Sequence, residues 1–236
     1  MPSLVWYVSY GSNMHADRFT CYLAGGTPVG ARRHHPGCRD TTPPRDTRPM
    51  QIPGGVYFAT ESPVWLGGRA FYDPDLPGTA AVRAYLITPS QFADVAAQEM
   101  YREPGADLDL TEVLAHGRAG LGDGRYETLL HLGDHDGHPA LTFTAPWHSR
   151  EVEHTKPSGP YLKMLGDGLA GSHGWSVPDI AAYLAAATPF WTAEEVAELL
   201  EGGRPEPPAL GGTGQTTSSA TAQKPFGEVM SGPTGP

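Results

Sequence analysis

Residues 4–14, Leu-Val-Trp-Tyr-Val-Ser-Tyr-Gly-Ser-Asn-Met, constrain the fold of this chain more than any other stretch. Up to Tyr10 the run is rich in β-branched and aromatic residues, which predicts a strand. Apolar residues fill nearly every position, so both faces are expected to be covered, as in a central strand. Gly11-Ser12-Asn13 ends the run. Residues 14–23 can follow as a helix, with Asn13 as N-cap and Asp17 in the first turns, where it suits the helix dipole. A buried strand, a glycine turn and a helix start within a few residues gather several backbone N–H groups around one point. Such a point can hold a carboxylate or phosphate, and it is also what an ordinary strand-to-helix connection looks like.

The chain has 236 residues, enough for one good-sized domain or two small ones. Its 30 glycines and 24 prolines predict long loops rather than disorder throughout. The formal charge is −10 and Arg32-Arg33 is the only basic cluster, which speaks against nucleic-acid binding through phosphate contacts. No apolar run reaches membrane-spanning length and no signal-peptide pattern is read at the start, so the expectation is a cytoplasmic protein with no membrane partner. Basic residues are almost all Arg, and with the Ala, Gly and Pro usage this suggests a high-GC bacterial gene. Cys21 and Cys38 have no metal or redox spacing, and Cys21 is expected to be a small buried hydrophobe on the first helix.

Gly25-Gly26 stops that helix. Residues 28–55 read as irregular because proline and glycine punctuate them. Strands are expected over 55–60, 65–72 and 80–87, and then a helix over 91–101 with Thr88 or Ser90 as cap and Pro89 in its first turn. Phe92, Val95, Ala96 and Met100 form its apolar stripe. Glu99 lies on or beside that stripe, and a carboxylate turned toward an apolar face needs a partner such as Arg102, or a purpose. Residues 101–124 look like an inserted loop with a short helical piece at 111–115. A hairpin follows, strands 126–132 and 140–145 joined by 133–138. Helices are expected from Ser158-Gly159-Pro160 onward, over 178–186, and over 192–200 behind a Thr192/Glu195 capping box. The reading is one domain, 1–202, followed by a disordered Gly/Pro/Ser/Thr-rich tail, 203–236.

Two strings look metal-like: His34-His35, and His131, Asp134, His135, Asp136 and His138. Adjacent histidines point in different directions, and Asp-Gly pairs are ordinary turn residues in water, so no metal site is expected at either.

Tyr10-Gly11-Ser12-Asn13-Met14 after an apolar N-terminal strand resembles the opening motif of the γ-glutamylcyclotransferase-like family. Two later stretches resemble it in the same order. Gln98-Glu99 ends a helix where the family carries its catalytic acid–base, although Met100 follows where the family has Gly, and Gly124-Arg125-Tyr126 resembles the strand entry that comes next. Pro157-Ser158 with Tyr161 looks like the family's last helix entry.

This resemblance implies an α+β fold, a mixed sheet closed into a barrel-like form and flanked by helices, with no metal or organic cofactor. It implies a small γ-glutamyl substrate held by Tyr10, Gly11, Ser12, Asn13 and Met14, with Tyr126 and Tyr161 lining or closing the pocket. It implies that Glu99 moves the proton while the α-amine attacks its own γ-carbonyl and releases 5-oxoproline. Partial burial is the usual way to fit a glutamate to such work. The leaving group would be read by residues 28–55 and 101–123, which match nothing in the family. The alternatives are an amide hydrolase, a metal-dependent deacylase using the histidine strings, an acyltransferase in the same pocket, or a binding module without turnover. Oligomeric state is left open.

Overall fold

The computed structural model describes residues 2–28 and 34–202. The chain divides into a unit spanning Met1–Pro205 and a second, Glu206–Pro236, so the expected tail lies outside the described residues. Eight strands form among the described residues: β1 (Val5–Ser9), β2 (Asp46–Pro53), β3 (Gly55–Ser62), β4 (Gly67–Asp73), β5 (Thr79–Ile87), β6 (Arg118–Gly120), β7 (Thr128–His135) and β8 (His138–Thr144). Six helices accompany them: α1 (Ala16–Ala24), α2 (Pro89–Glu99), α3 (Thr111–His116), α4 (Gly159–His173), α5 (Val177–Ala186) and α6 (Ala193–Leu200). The class is α+β, a mixed sheet with flanking helices.

β1 is buried at every position and sits inside a six-stranded sheet of order β2-β5-β1-β8-β7-β6. It pairs antiparallel with β5 (Val5↔Ile87 to Ser9↔Arg83) and parallel with β8 (Trp6↔Ala140, Tyr7↔Leu141). Side chains alternate across a strand, so its two sets feed two cores. Trp6 and Val8 pack with Leu162, Leu165, Ile180 and Val196 of α4–α6, while Val5 and Tyr7 pack with Phe19 of α1 and Phe92 and Val95 of α2.

β3 and β4 form a separate two-stranded sheet. A side chain, and not a strand ladder, joins it to the six-stranded sheet. The Thr144 hydroxyl at the end of β8 accepts from the Tyr72 amide at 3.2 Å and donates to the Tyr72 carbonyl at 2.7 Å. One hydroxyl thus serves as both donor and acceptor where a ladder rung would stand.

Several expectations need correction. Residues 28–55 are not irregular throughout, because β2 pairs with β5 over eight positions. β2 is the sheet edge, so Pro49 and Pro53 are tolerated there and only every second residue is shielded, which hid it from an apolar pattern. The 133–138 segment is mostly strand, and the β7–β8 hairpin turns only at Asp136-Gly137, with a register shift between His131 and Asp134. β6 lies within 101–124, the stretch expected to be a loop with one short helical piece. Cys38, not Cys21, is the buried cysteine.

α2 begins as the sequence predicts, with a reciprocal capping box between Thr88 and Gln91 and Pro89 in the first turn. The first helix does not. Ser12–Met14 is a single 3-10 turn, α1 starts at Ala16 with His15 at its N-cap position, and no side chain caps it. Asp17 does sit in its first turn.

The glycine at 168 lets α4 lie against that 3-10 turn. A Cβ there would stand 2.9 Å from the Met14 Cβ and 3.0 Å from the His15 amide nitrogen, both part of or fixed to the turn's backbone. Gly168→Ala is therefore expected to lower stability by about 1–3 kcal/mol, as overpacking of a close contact does. Urea denaturation measures it, and an unchanged midpoint would mean the contact between α4 and the turn has slack.

Candidate active site

The turn residues point where the cap reading did not. Asn13 is buried at the end of the β1 connection. Its Nδ2 donates to the Tyr7 hydroxyl at 3.2 Å and to Glu99 Oε1 at 3.1 Å, while its carbonyl accepts from the Tyr85 hydroxyl at 2.7 Å. An N-cap amide would bond the next turn of its own helix. Asn13 instead bridges to the C-terminal end of α2, 86 positions away in the chain. Glu99, half-buried, is the last residue of α2. Arg102, the expected partner, pairs with Glu127 instead.

Glu99 stands where two lobes of one cleft meet. The first lobe, about 500 Å³ including its open mouth, is lined by Ser12, Arg18, Trp65, Arg69, Glu99 and Tyr126, with Tyr22, His35, Ser62, Val64 and Tyr101 around them. The second, about 320 Å³, is lined by Tyr7, Ser9, Tyr10, Gly11, Ser12, Asn13, Ala70, Glu99, Tyr126 and Phe143. Ser12, Glu99 and Tyr126 belong to both.

Of the residues expected at the site, Tyr10, Gly11, Ser12, Asn13, Glu99 and Tyr126 therefore line the cleft together. Tyr161 stands directly behind it. Its hydroxyl accepts from the Ala70 amide at 3.2 Å, the Tyr126 hydroxyl donates to the Ala70 carbonyl at 3.0 Å, and Trp65 stacks on the Tyr161 ring at 5.0 Å. The two tyrosines thus pin one residue of β4 against the cleft. Met14 turns away. Its side chain packs in the core beneath α4, so it belongs to the scaffold of the turn and not to the cleft wall. An apolar side chain gains more from that burial than from a polar cleft.

Burial, and after it the Glu99 carboxylate, pushes the Tyr7 and Tyr22 hydroxyls well above the ordinary phenol range. Burial also raises Tyr10 and Tyr126, and holds Tyr161 at about 12. At neutral pH these are uncharged hydroxyls that can donate. Ser12 is set similarly: its oxygen accepts from Arg18 Nε at 2.9 Å, which leaves its own hydrogen to donate into the cleft.

Arg18, Tyr22, Trp65 and Arg69 were not singled out from sequence. Arg18 and Tyr22 stand four apart on α1, one turn past the glycine motif, and this spacing on the site side of the helix was the available signal. Arg69 sits among small residues on β4, and nothing local marks it.

The histidine strings do not come together. His35 is buried against Tyr22, ring centroids 4.0 Å apart. His131 bonds Asp134 at 3.0 Å, and His135, beyond the register shift of the hairpin, stands edge-on to Trp6. The acidic and imidazole groups that do converge among the described residues are Asp73, Asp75 and His148. There the Asp73 carboxylate already accepts from the amides of Ser149 at 2.8 Å and Asp75 at 3.0 Å.

No family model matches this chain. A curated relative, named Histone deacetylase 5, from Arabidopsis thaliana, is 31% identical over 201 residues. That alignment covers 76% of this chain, and the chain spans only 30% of the relative's length. Similar solved structures include an uncharacterized protein from Homo sapiens (14% identity, 85% of this chain and 99% of that one, TM-score 0.48). They also include a protein named Gamma-glutamyl cyclotransferase (13% identity, 84% of this chain and 98% of that one, TM-score 0.42).

Proposed function

We propose that the cleft is the active site of a γ-glutamyl cyclotransferase that needs no cofactor. The observation that carries this reading is the meeting of Glu99 with Asn13 at the junction of the two lobes, on the strand-turn motif whose wording resembles that family. A γ-glutamyl amide has an α-amine and an α-carboxylate at one end and a leaving amine at the other, so it suits a two-lobed cleft with a proton carrier in the middle. The α-amine and α-carboxylate occupy the lobe built by Ser9–Asn13, where the first N–H groups of the 3-10 turn have no carbonyl of their own turn to bond. The leaving group lies toward Trp65 and Arg69.

Glu99 accepts a proton from the α-amine as its nitrogen attacks the γ-carbonyl carbon. The tetrahedral oxyanion takes hydrogen bonds from the turn amides and the Ser12 hydroxyl. The bond from that carbon to the leaving nitrogen then breaks as Glu99 returns the proton to it. The products are 5-oxoproline and a free amine. Because attacker and target belong to one molecule, the protein's contribution is to hold them in the ring-closing geometry and to move one proton. The test is incubation with γ-glutamyl amines, γ-glutamyl amino acids and glutathione, following 5-oxoproline by mass spectrometry. No product from any of them would retire the reading.

Gly11 gives a further check. Its φ of −112° suits any residue, and a Cβ would meet only the Tyr161 hydroxyl at an ordinary 3.6 Å. The fold therefore does not need glycine here, but the second lobe does, since Gly11 lines it. Gly11→Ala is expected to melt within about 2 °C of the parent and to raise KM about tenfold, the scale of one carbon too many in a pocket. A large loss of melting temperature would show that the glycine serves the fold.

A further inference from the structure

The first lobe carries charge that the proton transfer does not use. Arg18 and Arg69 are 6% and 7% exposed, and both line it. Arg18 Nη1 and Arg69 Nε are buried without a hydrogen-bond partner, and neither guanidinium pairs with a carboxylate among the described residues. Arg18 is held by Ser12 and by the faces of Tyr22 and Trp65, and Arg69 by the Glu61 carbonyl. Arg125 stands close by, over the Tyr101 ring at 4.4 Å, and the Arg69 charge adds to burial in depressing its proton affinity. Two lining cations, with a third close by, thus stand against one carboxylate, Glu99. Buried charges are ordinarily paired, so two uncompensated positive charges around a cleft specify a ligand with the opposite charge.

We infer that the lobe between Arg18 and Arg69 is an anion subsite for a dianionic group on the leaving-amine side of the substrate, either a phosphate monoester or a pair of carboxylates. The inference rests on the proposed function only for which end of the ligand lies there. A monoanion would leave a net positive charge behind, and a neutral alkylamine would leave Arg18 Nη1 and Arg69 Nε desolvated with nothing to bond. The planar forks of two arginines suit oxyanions that accept two hydrogen bonds at once. The subsite sets specificity by failing the neutral competitor as much as by holding the charged one.

Four γ-glutamyl amides test it: those of ethylamine, alanine, aspartate and O-phosphoethanolamine. Binding is measured by calorimetry on Glu99→Gln protein, and 5-oxoproline release on the unaltered chain. The aspartate or phosphoethanolamine amide, or both, should bind at least about 30-fold tighter than the alanine amide, and the ethylamine amide weakest, the range charge-paired contacts give. The better of the two dianions tells dicarboxylate from phosphate. Arg69→Met should weaken dianion binding about 100-fold and ethylamine binding far less, with Arg69→Lys between them because it keeps the charge and loses the fork. Equal affinity for all four amides, or an equal loss with both variants across the series, overturns the subsite. Tight dianion binding without 5-oxoproline would retire the cyclotransferase reading and leave the subsite standing. Turnover of the ethylamine amide at the dianion rate would do the reverse, and no binding by any of the four would end both.

Discussion

Glu99→Gln is expected to lower kcat for 5-oxoproline formation about 1,000-fold while leaving KM within a few-fold and the fold intact. Glutamine keeps the shape of the side chain, and its carbonyl can still accept from Asn13 Nδ2, which now stands 3.1 Å from Glu99 Oε1. What it loses is the ability to take a proton from one nitrogen and give it to another, a contribution of about 10²–10⁴ in rate for a positioned acid–base. The tyrosines around it offer no substitute. Burial and the neighbouring carboxylate raise Tyr7 and Tyr22, so at neutral pH neither is a base. Asn13→Ala, which frees the carboxylate from its donor, should give a smaller loss, about tenfold, because it disturbs position and not proton capacity. A Glu99→Gln protein that cyclises near the parental rate would remove Glu99 from the chemistry. A variant with unchanged kcat and a much higher KM would make it a binding group.

The sequence carried the strand and turn at the centre of the cleft, and for a physical reason. A strand buried on both faces has to be apolar throughout, and the glycine turn that ends it is written in consecutive residues. Where tertiary contacts outbid local preference, the text misled. Asn13 has the chemistry of an N-cap, but two partners, the buried Tyr7 hydroxyl and the half-buried Glu99, take its amide, and the helix starts three residues later without a side-chain cap. β2 was hidden because an edge strand needs apolar residues on one face only and tolerates proline. Arg18 and Arg69 come from α1 and β4, and only the folded chain shows that both line one cleft, so neither stood out in a list of charged residues. Nothing local marks the polar residues Gln91, Asp94 and Gln98 as buried, for a related reason. They stand at helical spacing beside the apolar stripe of α2, where polar side chains ordinarily meet water.

Those three residues are buried; Gln91 and Asp94 fasten the loop that precedes β2, and Gln98 ties α2 to α1. Gln91 Nε2 donates to the carbonyls of Asp40 at 3.1 Å and Thr42 at 2.8 Å, and Gln98 Nε2 to the Tyr22 carbonyl at 3.0 Å. Asp94, fully buried, accepts from the Arg39 amide at 2.8 Å, from Arg39 Nε at 3.1 Å and from the Gly105 amide at 3.2 Å. Asp94→Ala is expected to cost about 3 kcal/mol of unfolding free energy, read by urea denaturation. The cost comes mainly from two charge-assisted bonds to backbone amides that have no replacement acceptor, at about 1.5 kcal/mol or somewhat more each. The ion pair itself adds little, because the Arg39 side chain is 39% exposed and water screens it. Asp94→Asn, which keeps an oxygen for one of those amides, should lose about half as much. Arg39→Met separates the two contributions. It keeps the backbone amide bond of residue 39 and removes only the screened guanidinium, so its cost should be below that of Asp94→Asn. A loss below about 1 kcal/mol for Asp94→Ala would mean that apolar packing alone seats α2. The same three variants report on the site. If the polar face fixes the helix that ends in Glu99, kcat should fall in the order in which stability falls, at temperatures where every variant is still folded.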